Sequence, residues 1–126
     1  AIYLPYIIEY NSGLCADGGK PSDAKAVRNA RKKYAEIAKA IGVKEEDETK
    51  LVQKLVEFVR ALENGLNTPQ CLRAYGIDEM EFRKRVNEIA ENAENDPCTS
   101  SNPRKAEAAD LKQILHYAFE GKEIDF

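Results

Sequence analysis

Apolar residues recur at spacings of three and four along most of this chain, the period of helices with one buried face. Val27, Ala30, Tyr34, Ile37, Ala38 and Ile41 make a first stripe, and Gly42 is placed to stop it. Leu51, Val52, Leu55, Val56, Val59 and Leu62 make a second, closed by Asn64-Gly65. Asp78 and Glu81 stand in an N-cap and N3 relation at the head of a third helix, which is expected to bury Phe82, Val86, Ile89, Ala90 and Ala93. Leu111, Ile114, Leu115 and Ala118 form a last stripe ending at Gly121. Thr68-Pro69 can open a short helix over 70–75, with Gly76 ending it.

Residues 2–10 alternate in a way that fits a strand, but no other segment reads as its partner. A helix started or kinked at Pro5 is the more economical reading. Residues 11–23 hold three glycines, a proline and two serines, which predicts a surface loop. The pattern predicts one all-α domain over residues 1–126, with five or six helices and no β-hairpin or fixed repeat.

Composition narrows the chemistry. The 126 residues carry 19 Lys+Arg against 22 Asp+Glu, a net charge of −3. No basic stripe interleaved with aromatics appears, so no nucleic-acid partner is expected. The apolar run over 1–8 is far short of the ~20 residues that span a bilayer, so no membrane role is expected either. Cys15, Cys71 and Cys98 are widely spaced, without a C-x-x-C pair, and nothing resembles a secretory signal. Reduced thiols and a cytoplasmic location are the expectation. A single histidine, His116, excludes the common histidine-rich metal sites and a Ser-His-Asp arrangement. The chain opens without a methionine or polar leader on an apolar run, which predicts a piece cut from something longer.

Few local strings carry candidate chemistry. The connection Asp96-Pro97-Cys98-Thr99-Ser100-Ser101-Asn102-Pro103-Arg104 has the residues of a tight, self-bonded turn. Cys98 reads either as an inert loop cysteine or, beside a positive charge or helix start, as a reactive thiol. His116 lies beside the last stripe, a rim position, with Lys112 and Glu120 one turn away. Glu45, Glu46, Asp47 and Glu48 lack the spacing and central glycine of a calcium loop and read as a solvated helix start. Arg28, Arg31, Lys32 and Lys33 form a basic patch that reads as a solvated face, the other reading being contact with a phosphate or subunit. Gly18-Gly19-Lys20 lacks the strand and upstream glycine of a phosphate loop. Nothing in these residues names a reaction.

A resemblance adds to this. Leu4-Pro5-Tyr6-Ile7-Ile8-Glu9-Tyr10-Asn11, the string Lys33-Tyr34-Ala35-Glu36-Ile37-Ala38 followed by Ile41-Gly42, and Asp96-x-Cys98-Thr99-x-x-Asn102-Pro103-Arg104 resemble, in order and spacing, motifs of the iron-containing (group III) alcohol dehydrogenases. The tail Leu111-Lys112-Gln113-Ile114-Leu115, then Ala118-Phe119-Glu120-Gly121, is most similar to the alcohol dehydrogenase part of bifunctional aldehyde-alcohol dehydrogenases. The resemblance runs from about Leu4 to Gly121 and departs from the family's pattern around residues 11–24.

The resemblance implies a dehydroquinate-synthase-like C-terminal helical domain. In the family it follows a dinucleotide-binding α/β domain, and the cleft between them holds NAD(P) and Fe2+. One aspartate and three histidines hold that metal, all upstream of the L-P-x-[VI]-[IL] stretch. So no catalytic, metal or cofactor-binding residue is expected on this chain. Cys98 is implied as a substrate-pocket residue, with Asn102, Pro103 and Arg104 shaping its loop. The parent would interconvert alcohols and aldehydes with NAD(P). Its iron would polarise the alcohol oxygen. The implied partners are the dinucleotide-binding domain of the same polypeptide and, in the parent, other copies in a homo-oligomer. The alternative is a stand-alone helical interaction module that docks through residues 2–8.

Overall fold

The computed structural model describes residues 1–14 and 24–126. Among the described residues six α-helices follow in order: α1 (Leu4–Ser12), α2 (Ala24–Ala40), α3 (Glu48–Gly65), α4 (Leu72–Tyr75), α5 (Glu79–Glu94) and α6 (Ala108–Glu120). One 3-10 turn, Thr99–Ser101, lies between α5 and α6. No strand occurs among the described residues, so the all-α expectation holds.

The helix starts follow local chemistry. Pro5 sits in the first turn of α1, where its missing N–H costs nothing. Asp47 caps α3 by accepting the Lys50 N–H at 2.8 Å, and Asp78 caps α5 by accepting the Glu81 N–H at 2.9 Å. At α6, Glu107 and Asp110 form a reciprocal capping box that the apolar pattern did not disclose. The short helix begins at Leu72 rather than 70, because Cys71 Sγ accepts the Ala74 N–H at 3.3 Å and becomes its N-cap. Gly76 and Gly121 end α4 and α6 in the left-handed conformation.

The helices pack as two pairs, α2 on α3 and α5 on α6, with α1 between them. Ile8 of α1 enters the cluster of Ala35, Ala38, Leu51, Val52, Leu55 and Val56. Tyr6 and Tyr10 enter a second cluster with Ala106, Ile114, Ala118 and Ile124. Phe82 stacks on Phe119 at 4.3 Å, and His116 meets the Phe82 edge at 5.2 Å, half-buried on the rim.

Four residues of the expected stripes stand outward. Ile37, Leu62 and Ile89 are 48%, 52% and 40% exposed, while the next residues, Ala38, Glu63 and Ala90, are buried, and Ile41 is 43% exposed just past the end of α2. One residue is about 100° of helix rotation. Of the expected pairs Ile37-Ala38 and Ile89-Ala90, only the small side chain is buried and the branched neighbour turns outward. A further departure is larger. Asn11 and Ser12, expected in the loop over 11–23, belong to α1 and are buried; Cys15 and Gly18-Gly19-Lys20 lie outside the described residues.

The extension of α1 needs a C-terminal stop inside the protein. Gly13 supplies it at φ +59, where a Cβ would come within 2.7 Å of Val27 Cγ1. Arg31 donates from Nε to the Ser12 carbonyl and from Nη2 to the Gly13 carbonyl, both at 3.0 Å. That satisfies orphan carbonyls and puts a cation on the negative helix end. Within the patch read as a solvated face, Arg31 is therefore structural, whereas Arg28, Lys32 and Lys33 remain exposed.

Glu9 is the other constraint on α1. Its side chain is 5% exposed; Oε1 accepts from Arg60 Nη2 at 2.9 Å and Oε2 from the Ile124 N–H at 3.2 Å. Arg60 also covers the Tyr6 ring at 4.9 Å. Burial pulls the Arg60 pKa down, but the bonds to Glu9 and Tyr6 outweigh it and the net shift is upward. No described helix is long and apolar enough to cross a membrane.

Two outcomes follow. Glu9→Leu leaves Arg60 without its partner and should cost on the order of 2–3 kcal/mol in urea denaturation, reduced from the fully buried case because Arg60 is partly exposed; Glu9→Leu with Arg60→Met should recover part of it. Burial also raises the Tyr6 phenol pKa above its ordinary value near 10. A raised folded value means the contribution is complete below the unfolded pKa and is lost as pH climbs through the folded one. Tyr6→Phe should therefore flatten the alkaline fall in the urea midpoint above about pH 10.

Candidate functional site

The connection from α5 to α6 bonds first to itself. Asp96 Oδ1 accepts the Cys98 N–H at 2.7 Å, and the Thr99 N–H donates to the Asp96 carbonyl at 3.0 Å. Ser100 and Ser101 hydroxyls donate to the Pro97 and Cys98 carbonyls at 2.6 and 2.7 Å. These are the short side-chain-to-backbone bonds that serine favours in turns. The Thr99 hydroxyl reaches out of the turn, donating to the Ala93 carbonyl at the end of α5 at 2.6 Å.

The downstream half is tied to α1. Arg104 is 5% exposed, donates from Nη1 to the Tyr10 carbonyl at 2.8 Å, and lies 4.0 Å from the Tyr10 ring centroid. The Tyr10 hydroxyl donates to the Lys105 carbonyl at 2.8 Å. Asn102 Nδ2 donates to Asn11 Oδ1 at 2.7 Å, and Asn11 Nδ2 donates back to Asn102 Oδ1 at 3.0 Å. Pro103 is exposed beside this pair.

A cavity of about 210 Å³ opens between α1, this connection and α6. Ile7, Leu111 and Ile114 supply apolar walls, and Cys98, Thr99 and Asn102 a polar side. A second cavity of about 380 Å³ lies against the connection, with Thr99 and Asn102 again in its lining and Glu94 and Lys105 at its edge. The first suits a small molecule with a short apolar body and one polar end. The structure thus brings Cys98 and Asn102 to one cavity, and places Pro103 and Arg104 next to it.

The other singled-out residues lie elsewhere. His116 packs on Phe82 and is absent from the lining of the cavity beside Cys98. Around the acidic run, Glu45 Oε1 accepts the Glu46 N–H at 2.9 Å, and bonds from the Glu46 and Asp47 backbone hold its pKa below the ordinary value. Those are the contacts of a helix start. No group of three or more His, Cys, Asp or Glu among the described residues is arranged to hold a metal. The donors among the described residues do not fit an iron centre. Tyr10, Asn11 and the buried Glu9 were not singled out from sequence. Their signal was present as polar atoms inside an apolar helical run.

A family model described as "Fe-containing alcohol dehydrogenase family, C-terminal" matches residues 1–119. The chain is 36% identical over its whole length to the NADPH-dependent butanol dehydrogenase of Clostridium saccharobutylicum, covering 29% of that protein. It is 35% identical over 75% of its length to the bifunctional aldehyde-alcohol dehydrogenase AdhE of Escherichia coli (strain K12), covering 11% of it. An alcohol dehydrogenase of Thermococcus barophilus is 29% identical over 94% of the chain, which covers 26% of that relative. The chain thus spans less than a third of the length of these relatives.

Arg104→Lys keeps the charge but loses the planar stack on Tyr10. It should lower stability by about 1–2 kcal/mol, because a lysine ammonium does not reproduce a stacked, backbone-bonded guanidinium. Thermal unfolding of both proteins under one buffer checks this; an unchanged melting temperature would show that the stack contributes nothing.

Proposed function

The chain belongs to the iron-containing alcohol dehydrogenase family, and from that premise we propose that residues 1–126 are the helical domain of a longer oxidoreductase and form one wall of its active-site cleft. The family consists of alcohol and aldehyde oxidoreductases that contain iron. The longer enzyme would interconvert a small alcohol and its aldehyde with a nicotinamide cofactor. Its partner is a dinucleotide-binding domain of the same polypeptide.

The observation that carries this reading is the cavity beside Cys98. Its volume of about 210 Å³ is below the ~300–1,000 Å³ typical of drug-sized ligands. Ile7, Leu111 and Ile114 would bury the short carbon chain, while Cys98, Thr99 and Asn102 face its polar end. These residues bind, orient and exclude water. Proton and hydride movement belong to groups outside this chain. Cys98 would act by shape and polarity, with Asn102, Pro103 and Arg104 shaping its loop.

The reading of a stand-alone interaction module keeps only part of its surface, Tyr3 and Leu4 being 40% and 50% exposed. The segment it would dock through contains Pro5, Tyr6 and Ile8, all buried within the domain's own core.

Two measurements test the proposal. The purified 126-residue chain should show no NAD(P)-linked alcohol oxidation with added ferrous or zinc ion; turnover would overturn the assignment of the chemistry to other residues. In the longer enzyme, Cys98→Phe should raise KM for short primary alcohols about tenfold, a steric loss of the size one misfitted side chain causes. A lowered melting temperature with unchanged kinetics would make Cys98 a folding residue only.

A further inference from the structure

We propose that Asn11 is a positioning residue for the cavity beside Cys98, acting through its reciprocal amide pair with Asn102. This deepens the reading of that cavity as the substrate pocket and rests on it.

The two ends of the pair differ in how they are held. Asn11 is 1% exposed on α1, a helix buried in the core and stopped at Gly13. Asn102 is half-buried just beyond the turn of Thr99–Ser101, on a non-helical connection. The bonds of Asp96, Ser100 and Ser101 fold that connection on itself but do not place it against the domain. The Asn11–Asn102 pair does, 91 residues apart in sequence, between the Thr99 bond to the Ala93 carbonyl on one side and the Arg104 and Tyr10 bonds on the other.

The pair fixes direction as well as distance. Each amide donates and accepts once, so the two planes are held at two points. Asn102 Nδ2 also donates to the Arg104 carbonyl, which determines which end of its amide is the nitrogen. That in turn orients Asn11, whose Nδ2 reaches the Tyr34 hydroxyl at 3.4 Å from the α2 side. Because Asn102 lines both the 210 Å³ and the 380 Å³ cavities, any shift of its backbone trades volume between them. Cys98 and Thr99, four and three residues upstream, move with it through the bonds of Ser101 and Asn102 to the Cys98 and Thr99 carbonyls.

The test compares wild type with Asn11→Ser, Asn102→Ser and the double variant of the 126-residue chain. Asn11→Leu, close in volume, serves as a second probe should serine loosen the core. Amide hydrogen exchange is read over 98–102 and over α3. Cys98 alkylation by iodoacetamide is read by mass spectrometry against Cys71, which lies on another helix start. Each single variant should speed exchange over 98–102 about tenfold, the effect of losing a two-bond contact, and raise the Cys98-to-Cys71 alkylation ratio. The double variant should be no faster than either single one, since both delete the same contact. Unchanged exchange and ratio in a folded variant would overturn the proposal. So would an acceleration equal in α3 and in 98–102, which would make Asn11 a core residue without local effect. Neither readout uses turnover. A longer enzyme whose alcohol KM ignores Cys98→Phe would refute the pocket reading while these exchange results still judged the pair.

Discussion

Burying a carboxylate in the middle of a short helix is the condition around which this domain closes. Glu9 lies on α1, between the cluster of α2 and α3 and the cluster of α6. Removed from water, its charge must be met by a cation and hydrogen bonds, or its burial costs several kcal/mol. Arg60 of α3 supplies the first and the Ile124 amide the second. Helix, partner helix and C-terminal segment are thereby tied to one side chain. The arrangement is not free of cost: Arg60 Nε and Glu63 Oε1 are buried without partners in the same helix. A buried ion pair with orphaned neighbours is weak evidence for stability and better evidence for a fixed register of α1 against α3.

The same logic extends along α1. Ser12 returns its hydroxyl to the Ile8 carbonyl at 2.6 Å, and Arg31 closes the carbonyl end. Asn11 meets Asn102, and the Tyr10 carbonyl meets Arg104. On α1, polar groups that would oppose burial find partners within the helix or from distant parts of the chain. A nine-residue helix is too short to be stable alone in water. Here it is held by tertiary contacts on nearly every face, which is why so many of its residues are committed.

What the sequence disclosed follows the same division. Periodicity located α2, α3, α5 and α6, because each buries one stripe of apolar side chains, and Pro5, Gly76 and Gly121 marked boundaries by backbone geometry alone. Periodicity put Ile37 with Ala38, and Ile89 with Ala90, on the buried stripes; it could not decide that only the alanines would be buried. That choice depends on how closely two helices approach, and only the packed structure contains it. Nor could it extend α1 through Asn11 and Ser12, whose composition favours a loop. Their helical state depends on Asn102, Tyr34 and Arg31, none of them near in sequence. At the site, the connection around Cys98 was visible as an unusual string, whereas the α1 side chains facing it were hidden inside an apolar motif.

The cavity beside Cys98 is built the same way. Its walls come from Ile7 and Tyr10 near one end of the chain and from Cys98, Leu111 and Ile114 near the other. No local segment contains it, and no secondary-structure element forms it alone. It exists only when α1 is seated, and Arg60 and the Ile124 amide help to seat α1 by meeting the Glu9 carboxylate. Contacts joining positions 91 to 115 residues apart therefore stand between the unfolded chain and an ordered pocket wall. Ordering such contacts draws on the free energy of the whole fold, because long loops must close before the contacts return anything. A wall built this way can hold its shape with few rigid groups of its own. Eight residues, Tyr10 and Ala106 among them, shape and line it, and the chain needs no second histidine to do that work.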